Sequence, residues 1–215
     1  MIEQTQLEAS RAGTLPLIGN ELALDLANTA SGRGSSTYAD HLQRAEHVVA
    51  WARNAQALSP SDGERLQAIL AANPKLAQRL VKRTLELREA VYAIGESIAA
   101  KRGAEAAAVE QLKRVHAECL ARAKLVPDGA TFVWAWDPAE GPIEAVLGPV
   151  TLSALTLLTQ ADLTRIKQCR GDRCGWLFFD TTKNKSRRWC EMEVCGNRAK
   201  QRRFHRRRAG RPHDA

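Results

Sequence analysis

The 215-residue sequence contains no uninterrupted apolar run near the ~20 residues that a membrane-spanning helix requires. Its first twenty residues, interrupted by Glu3, Glu8 and Arg11, lack the basic-then-apolar order of a secretory leader. A cytoplasmic protein without a membrane partner is therefore expected. Also missing are GxGxxG, the P-loop, HExxH and GxSxG, the spacings that cradle phosphates, hold catalytic zinc or present a serine nucleophile. The Gly/Ser run at 31–36 follows a helical pattern instead of a strand and reads as a loop. Catalysis is not expected.

Two further scarcities are local. Acidic residues thin out from Arg165 onward, where sixteen Lys and Arg face five Asp and Glu, while residues 1–164 carry sixteen basic and nineteen acidic side chains. The formal net charge of +8 is thus the property of one end, which marks that end as the part that meets a polyanion. Cysteine is nearly absent before residue 169. Cys119 stands alone there, on the same apolar stripe as His116, and reads as a buried inert thiol rather than a nucleophile. The remaining four, Cys169, Cys174, Cys190 and Cys195, fall within 27 residues.

Hydrophobic residues make up 44% and charged residues 26%, enough apolar content to build a folded core. After a loose arm at 1–13, Asn20 is a plausible N-cap for a short helix at 21–30 that buries Leu22, Ala23 and Leu26. A second helix is expected at 42–57 around Trp51, followed by a turn and new cap at Ser59 to Asp62. Leu80, Leu87, Val91, Ile94 and Ile98 recur at helical spacing after Asn73-Pro74 and define a helix of roughly 25 residues. Val109, Leu112, His116, Cys119 and Ala123 define its antiparallel partner. The aromatic run at 131–136 reads as a strand, with residues 143–147 as its hairpin mate and a turn at 137–142. Pro149 then opens another apolar helix, and residues 162–168 read as a short basic helix leading into Cys169. With so short a connection, the terminal segment should dock on the body.

The cysteine pattern is C-x4-C, fifteen intervening residues and C-x4-C. Two short thiolate pairs supply the four ligands of a tetrahedral zinc site, and a segment too small to bury a core gains its stability from such a metal. Four thiolates leave no open position for catalytic water, so the Zn2+ would be structural; an iron–sulfur cluster accepts the same four residues. Residues 176–179 read as a strand, 180–186 as a polar turn and 187–189 as the return to Cys190. Helix formers follow Cys195, so knuckle, hairpin and helix make a treble-clef-like module.

Cys195-Gly196-Asn197-Arg198, preceded by Arg187-Arg188-Trp189-Cys190 and followed by residues 199–203, resembles the signature of the CGNR zinc finger. Residues 22–29, Leu-Ala-Leu-Asp-Leu-Ala-Asn-Thr, are similar to an element of the ABATE domain that usually precedes this finger, although Leu26 stands where an aromatic is common. The resemblance implies a bacterial transcriptional regulator linked to stress. The expected architecture is mainly α with a small β element: a helical N-terminal domain at 15–160 and a treble-clef-like zinc module at 164–208.

From Arg198 to Arg211 there are eight basic residues and no acid. In a helix, Arg198, Arg202 and Arg206 share one face, with Arg203 and Arg207 beside them; Lys200 is a further candidate contact, and Lys183, Lys185, Arg187 and Arg188 form a second basic edge. DNA is the expected partner, with RNA as the competing polyanion. Trp176 and Trp189 read as the module's small core more than as stacking platforms. The N-terminal domain would sense a signal or form a homodimer. Asp25 and Asn28, polar residues on an otherwise apolar helix, are either a side-chain cap or hydrogen-bonded core pair, or the wall of an effector pocket. A thiolate cluster is also oxidisable, so a redox-sensitive zinc switch is a third reading.

Overall fold

The computed structural model describes residues 11–209, with side chains described as far as residue 205. Helix α1, Leu22–Ala27, is central: Ala23, Leu24, Leu26 and Ala27 are at most 1% exposed, because the longer helices close around it. It is shorter than the expected 21–30 helix, and Asn20 does not cap it. Asn20 adopts a left-handed φ of +61° and its Nδ2 donates to Phe179 O at 2.9 Å, leaving Glu21 in the cap position, where its side chain caps no helix N–H.

Helix α2, Ala45–Asn54, buries Trp51, and α3, Pro60–Ala72, starts as its sequence requires, with Ser59 Oγ accepting from Asp62 N. Asn73 caps the 26-residue α4, Pro74–Ala99, through Leu76 N at 3.0 Å. Its apolar stripe, Leu80, Leu87, Val91 and Ile94, packs against α1, α5 and α6. In α5, Ala106–Leu120, the buried line is Leu112, Val115 and Cys119; Leu112 and Cys119 are buried as expected, Val115 takes the place of His116, Val109 is exposed and Ala123 lies beyond the helix.

Three local expectations are corrected. The strand at Thr131–Ala135 (β4) pairs backward with Lys124–Asp128 (β3), Val126 opposite Val133, through a two-residue turn whose Gly129 takes φ +59°. Residues 143–147 are instead the first turns of α6, Pro142–Gln160, because Pro142 suits the first helical position; Pro149 sits inside this helix and does not open it. By length and composition α6 is apolar enough to cross a membrane, but half of it is buried against α1, α4 and α5, as in a core helix. Lastly, the expected basic helix at 162–168 is a 3-10 turn, Leu163–Arg165, followed by strand β5, Ile166–Gln168. Antiparallel pairing with β6, Leu177–Phe179, buries Ile166, and this long-range contact overrides helix propensity.

A two-strand ribbon, β1 (Ala30–Ser31) with β2 (Ala39–Asp40), encloses the Gly/Ser loop. Arg88, 3% exposed, holds Asp40 through two bonds of 2.7 and 2.8 Å and ties this ribbon to α4.

The terminal segment is welded to this body. Ile166 and Leu177 belong to the main hydrophobic core. Asn28 Nδ2 donates to Leu177 O, and Leu177 N donates to Asn28 Oδ1, both at 2.8 Å, so one amide side chain imitates a neighbouring strand. Gly95, in the interior of α4, costs about 1 kcal/mol relative to Ala. Its place is explained by Leu177 Cδ1, which would lie 2.7 Å from any Cβ there. Replacing Asn28 by Ala strands two buried backbone groups and should cost roughly 2–4 kcal/mol in denaturant unfolding. Hydrogen exchange should quicken first at the Leu177 amide; unchanged protection there would contradict the clamp.

Candidate metal centre

The first cysteine pair occupies the turn of the β5–β6 ribbon. Cys169 N donates to Trp176 O at 2.8 Å, closing the loop, and Cys174 N donates to Gly171 O at 3.0 Å. Gly175, at φ +71°, turns the chain back against Arg33 and Tyr92. The second pair comes from a different construction: Cys190 ends the loop after β6, and Cys195 lies in a π-helical turn, Met192–Gly196, which runs directly into α7, Asn197–Ala209.

All four Sγ atoms lie within 4.8 Å of one another, with Cys174–Cys190 at 3.5 Å and Cys190–Cys195 at 3.6 Å. Four thiolates at the ~2.3 Å zinc–sulfur distance stand about 3.8 Å apart in a tetrahedron, so the arrangement fits one zinc ion. It leaves no room for the several irons and sulfides of a cluster. By themselves the four thiols cannot all ionise. Hydrogen bonds from Cys174 and Cys190 pull the Cys169 thiol far below its ordinary range, and their bonds to Cys169 push Cys174 and Cys190 up, so only a cation can hold four thiolates together. Cys169, Cys190 and Cys195 are buried, and Phe178, Ile18, Trp176 and Trp189 pack around them as a second small core.

A residue that sequence reasoning missed organises the loop between the pairs. Asp180, fully buried, accepts from Lys167 Nζ at 2.6 Å, Thr182 N at 2.9 Å, Thr182 Oγ1 at 2.6 Å and Arg187 N at 3.0 Å. Burial opposes its ionisation, but the Lys167 ammonium and these donors hold its carboxyl well below the usual range. The signal was available: Asp180-Thr181-Thr182 is an Asx-turn sequence, and an acid is rare in this basic segment.

Of the ten basic residues expected to meet nucleic acid, the eight with described side chains separate into two groups. Arg187 donates to Ile18 O, Trp189 O and Cys190 O and lies over the Phe178 ring at 4.3 Å, so it braces the loop that carries Cys190. Lys185 Nζ is held by Asp162 at 2.6 Å and Thr164 Oγ1 at 2.9 Å. Arg202 pairs with Asp172 at 2.9 Å, joining α7 to the knuckle. Lys183, Arg188, Arg198, Lys200 and Arg203 are exposed, and no ion pair engages them among the described residues. Arg206 and Arg207 lie outside the described side chains.

Asp25 and Asn28 are not bonded to each other. Asp25 Oδ1 accepts from Gly19 N at 2.8 Å, and Gly19 O in turn accepts from Phe179 N, so both polar side chains of α1 support the strand that enters the metal centre. Cys119 and His116 share no bond; the thiol is pushed up to about 12, chiefly by burial, and His116 Nδ1 faces Thr151 Oγ1 at 3.2 Å.

Residues 165–208 match the CGNR zinc finger, and residues 20–161 match the ABATE family, described as "Putative stress-induced transcription regulator". The chain belongs to the ABATE family. No curated protein matches it. Neither matched family is an enzyme family, and the cofactor of this protein is a structural Zn2+.

Two outcomes follow from this geometry. A strong chelator should release one zinc per chain, measured with a colorimetric dye, and hydrogen exchange should accelerate across 165–205 while the middle of α4 stays protected. The second concerns pH. Burial raises the Asp25 carboxyl from 3.8 to about 6, so the folded state binds its proton more tightly than the unfolded chain does. Stability from this group is greatest below pH 4 and falls as pH rises to 6. Asp25→Asn keeps the acceptor for Gly19 and should therefore gain about 3 kcal/mol at pH 8, and progressively less towards pH 5, in chemical denaturation. An equal effect at both pH values would contradict it.

Proposed function

We propose that the protein is a cytoplasmic DNA-binding regulator of transcription, in which Cys169, Cys174, Cys190 and Cys195 together ligate one zinc and so fix the direction of α7. One observation carries the reading: an acid-free basic helix grows straight out of the turn that holds the last cysteine. Zinc fixes the start of that helix, and Arg202 with Asp172 anchors its second turn. Arg198, Lys200 and Arg203 are left exposed for phosphates or base edges, with Lys183 and Arg188 as a second row. In this reading the zinc does no chemistry; it adds stability to a module whose own hydrophobic core is small.

The helical body is the part that senses a signal or pairs with a second copy, and it reaches the finger through Asn28 and the core residues Ile166 and Leu177. A basic helix that touches about six phosphates loses affinity with salt at a log–log slope near −5.

Selection of the zinc-loaded chain against random duplex DNA at ~150 mM salt, with structured RNA as competitor, tests the reading. Enrichment of a defined motif is expected, and Arg203→Ala should weaken binding to it by about tenfold, the cost of one lost specific contact. Absence of a motif, or displacement by RNA, would overturn it.

A further inference from the structure

A cleft of about 890 Å³ opens between the C-terminal end of α4 and the finger, within the size range of small-molecule sites. Six cations line it: Lys101, Lys167, Arg170, Lys185, Arg187 and Arg188. Among the described residues no carboxylate does. Three of these cations are occupied, Lys167 by Asp180, Lys185 by Asp162, and Arg187 by backbone carbonyls. Lys101, Arg170 and Arg188 are exposed and have no ion-pair partner among the described residues, so the cleft keeps three uncommitted positive charges.

The backbone points to the same place. Four described non-glycine residues have positive φ, and two of them, Lys101 at +57° and Lys185 at +50°, belong to this cleft. Lys101 follows α4 in the left-handed position that glycine usually takes, with Arg102 N bonded back to Ser97 O at 2.8 Å. A lysine there accepts backbone strain that glycine would avoid. Ile98, Leu163 and Ile166 give the cleft an aliphatic wall, and Thr164, Asn184 and Ser186 add neutral donors.

We infer that this cleft binds a small organic phosphate of nucleotide size, with its phosphates on Lys101, Arg170 and Arg188 and its organic part against the Ile98, Leu163 and Ile166 wall. Apolar wall and cationic rim together suit such a ligand better than inorganic phosphate, which uses only the rim, or an uncharged nucleoside, which uses only the wall. The site lies where body and finger meet, so an occupant touches both. It does not depend on DNA binding, because its test is direct: failure to find a DNA motif would leave it standing.

The experiment is calorimetric titration of the zinc-loaded full-length chain with ADP, AMP, adenosine and inorganic phosphate at ~150 mM salt. ADP should bind, with adenosine and phosphate each at least about tenfold weaker. Arg170→Ala combined with Arg188→Ala should weaken ADP by about tenfold or more, as loss of charge-assisted hydrogen bonds implies. Arg198→Ala with Arg203→Ala, on α7, should leave ADP binding unchanged. Lys101→Ala, on α4 and away from the zinc ligands, gives a second reading if the double variant loses its metal, and should also weaken ADP. No ADP binding, binding insensitive to the cleft substitutions, or equal loss on changing α7 would each overturn the proposal, the last by showing adsorption on the basic helix.

Discussion

Strand β6 belongs to two cores at once, and both halves of the molecule depend on it. Its three residues alternate, as a strand must, so Leu177 enters the main core while Phe178 enters the small core around the cysteines. Both side chains are fully buried. A one-residue slip would send each into the wrong environment, and the register is pinned at three points. Ile166 pairs with Phe179, Asn28 clamps the Leu177 backbone, and Gly19 O accepts from Phe179 N.

The zinc module is for this reason not a bead on a string. Its knuckle accepts a bond from Gly32 N at Cys174 O, Trp176 Nε1 donates to Ala30 O, and Gln168 donates to Tyr92. Each contact recruits a polar group of the Gly/Ser loop, its flanking ribbon or α4, regions that a purely helical body would have no reason to hold in one shape. Arg88 with Asp40, and Arg33 stacked on Tyr92 at 3.9 Å, stiffen the same region from behind. The metal thus organises the finger's interior, while the body decides how the finger is presented.

The same economy shows in the basic residues. A count of charge in the last quarter treats all cations alike, yet burial and geometry assign them different work. Arg187 and Lys167 neutralise carbonyls and the Asp180 carboxylate inside the module, where an unpaired ion would be costly. Among those left uncommitted, Arg198, Lys200 and Arg203 lie on α7, and Lys101, Arg170 and Arg188 line the cleft beside α4.

The sequence by itself determined the helices whose signals are local: Asn73-Pro74 and a seven-four-three-four stripe produce α4 with little help from elsewhere. The four thiols were equally legible, because a metal site needs particular residue types at short spacing whatever surrounds them. Tertiary structure decided the elements whose partners are distant. Residues 166–168 became a strand because Ile166 finds β6, residues 143–147 became helix because α6 completes the core, and Asn20 and Asn28 became clamps on a strand some 150 positions away. Side chains that bond to backbone leave no periodic trace, so their roles appear only once the chain has closed on itself.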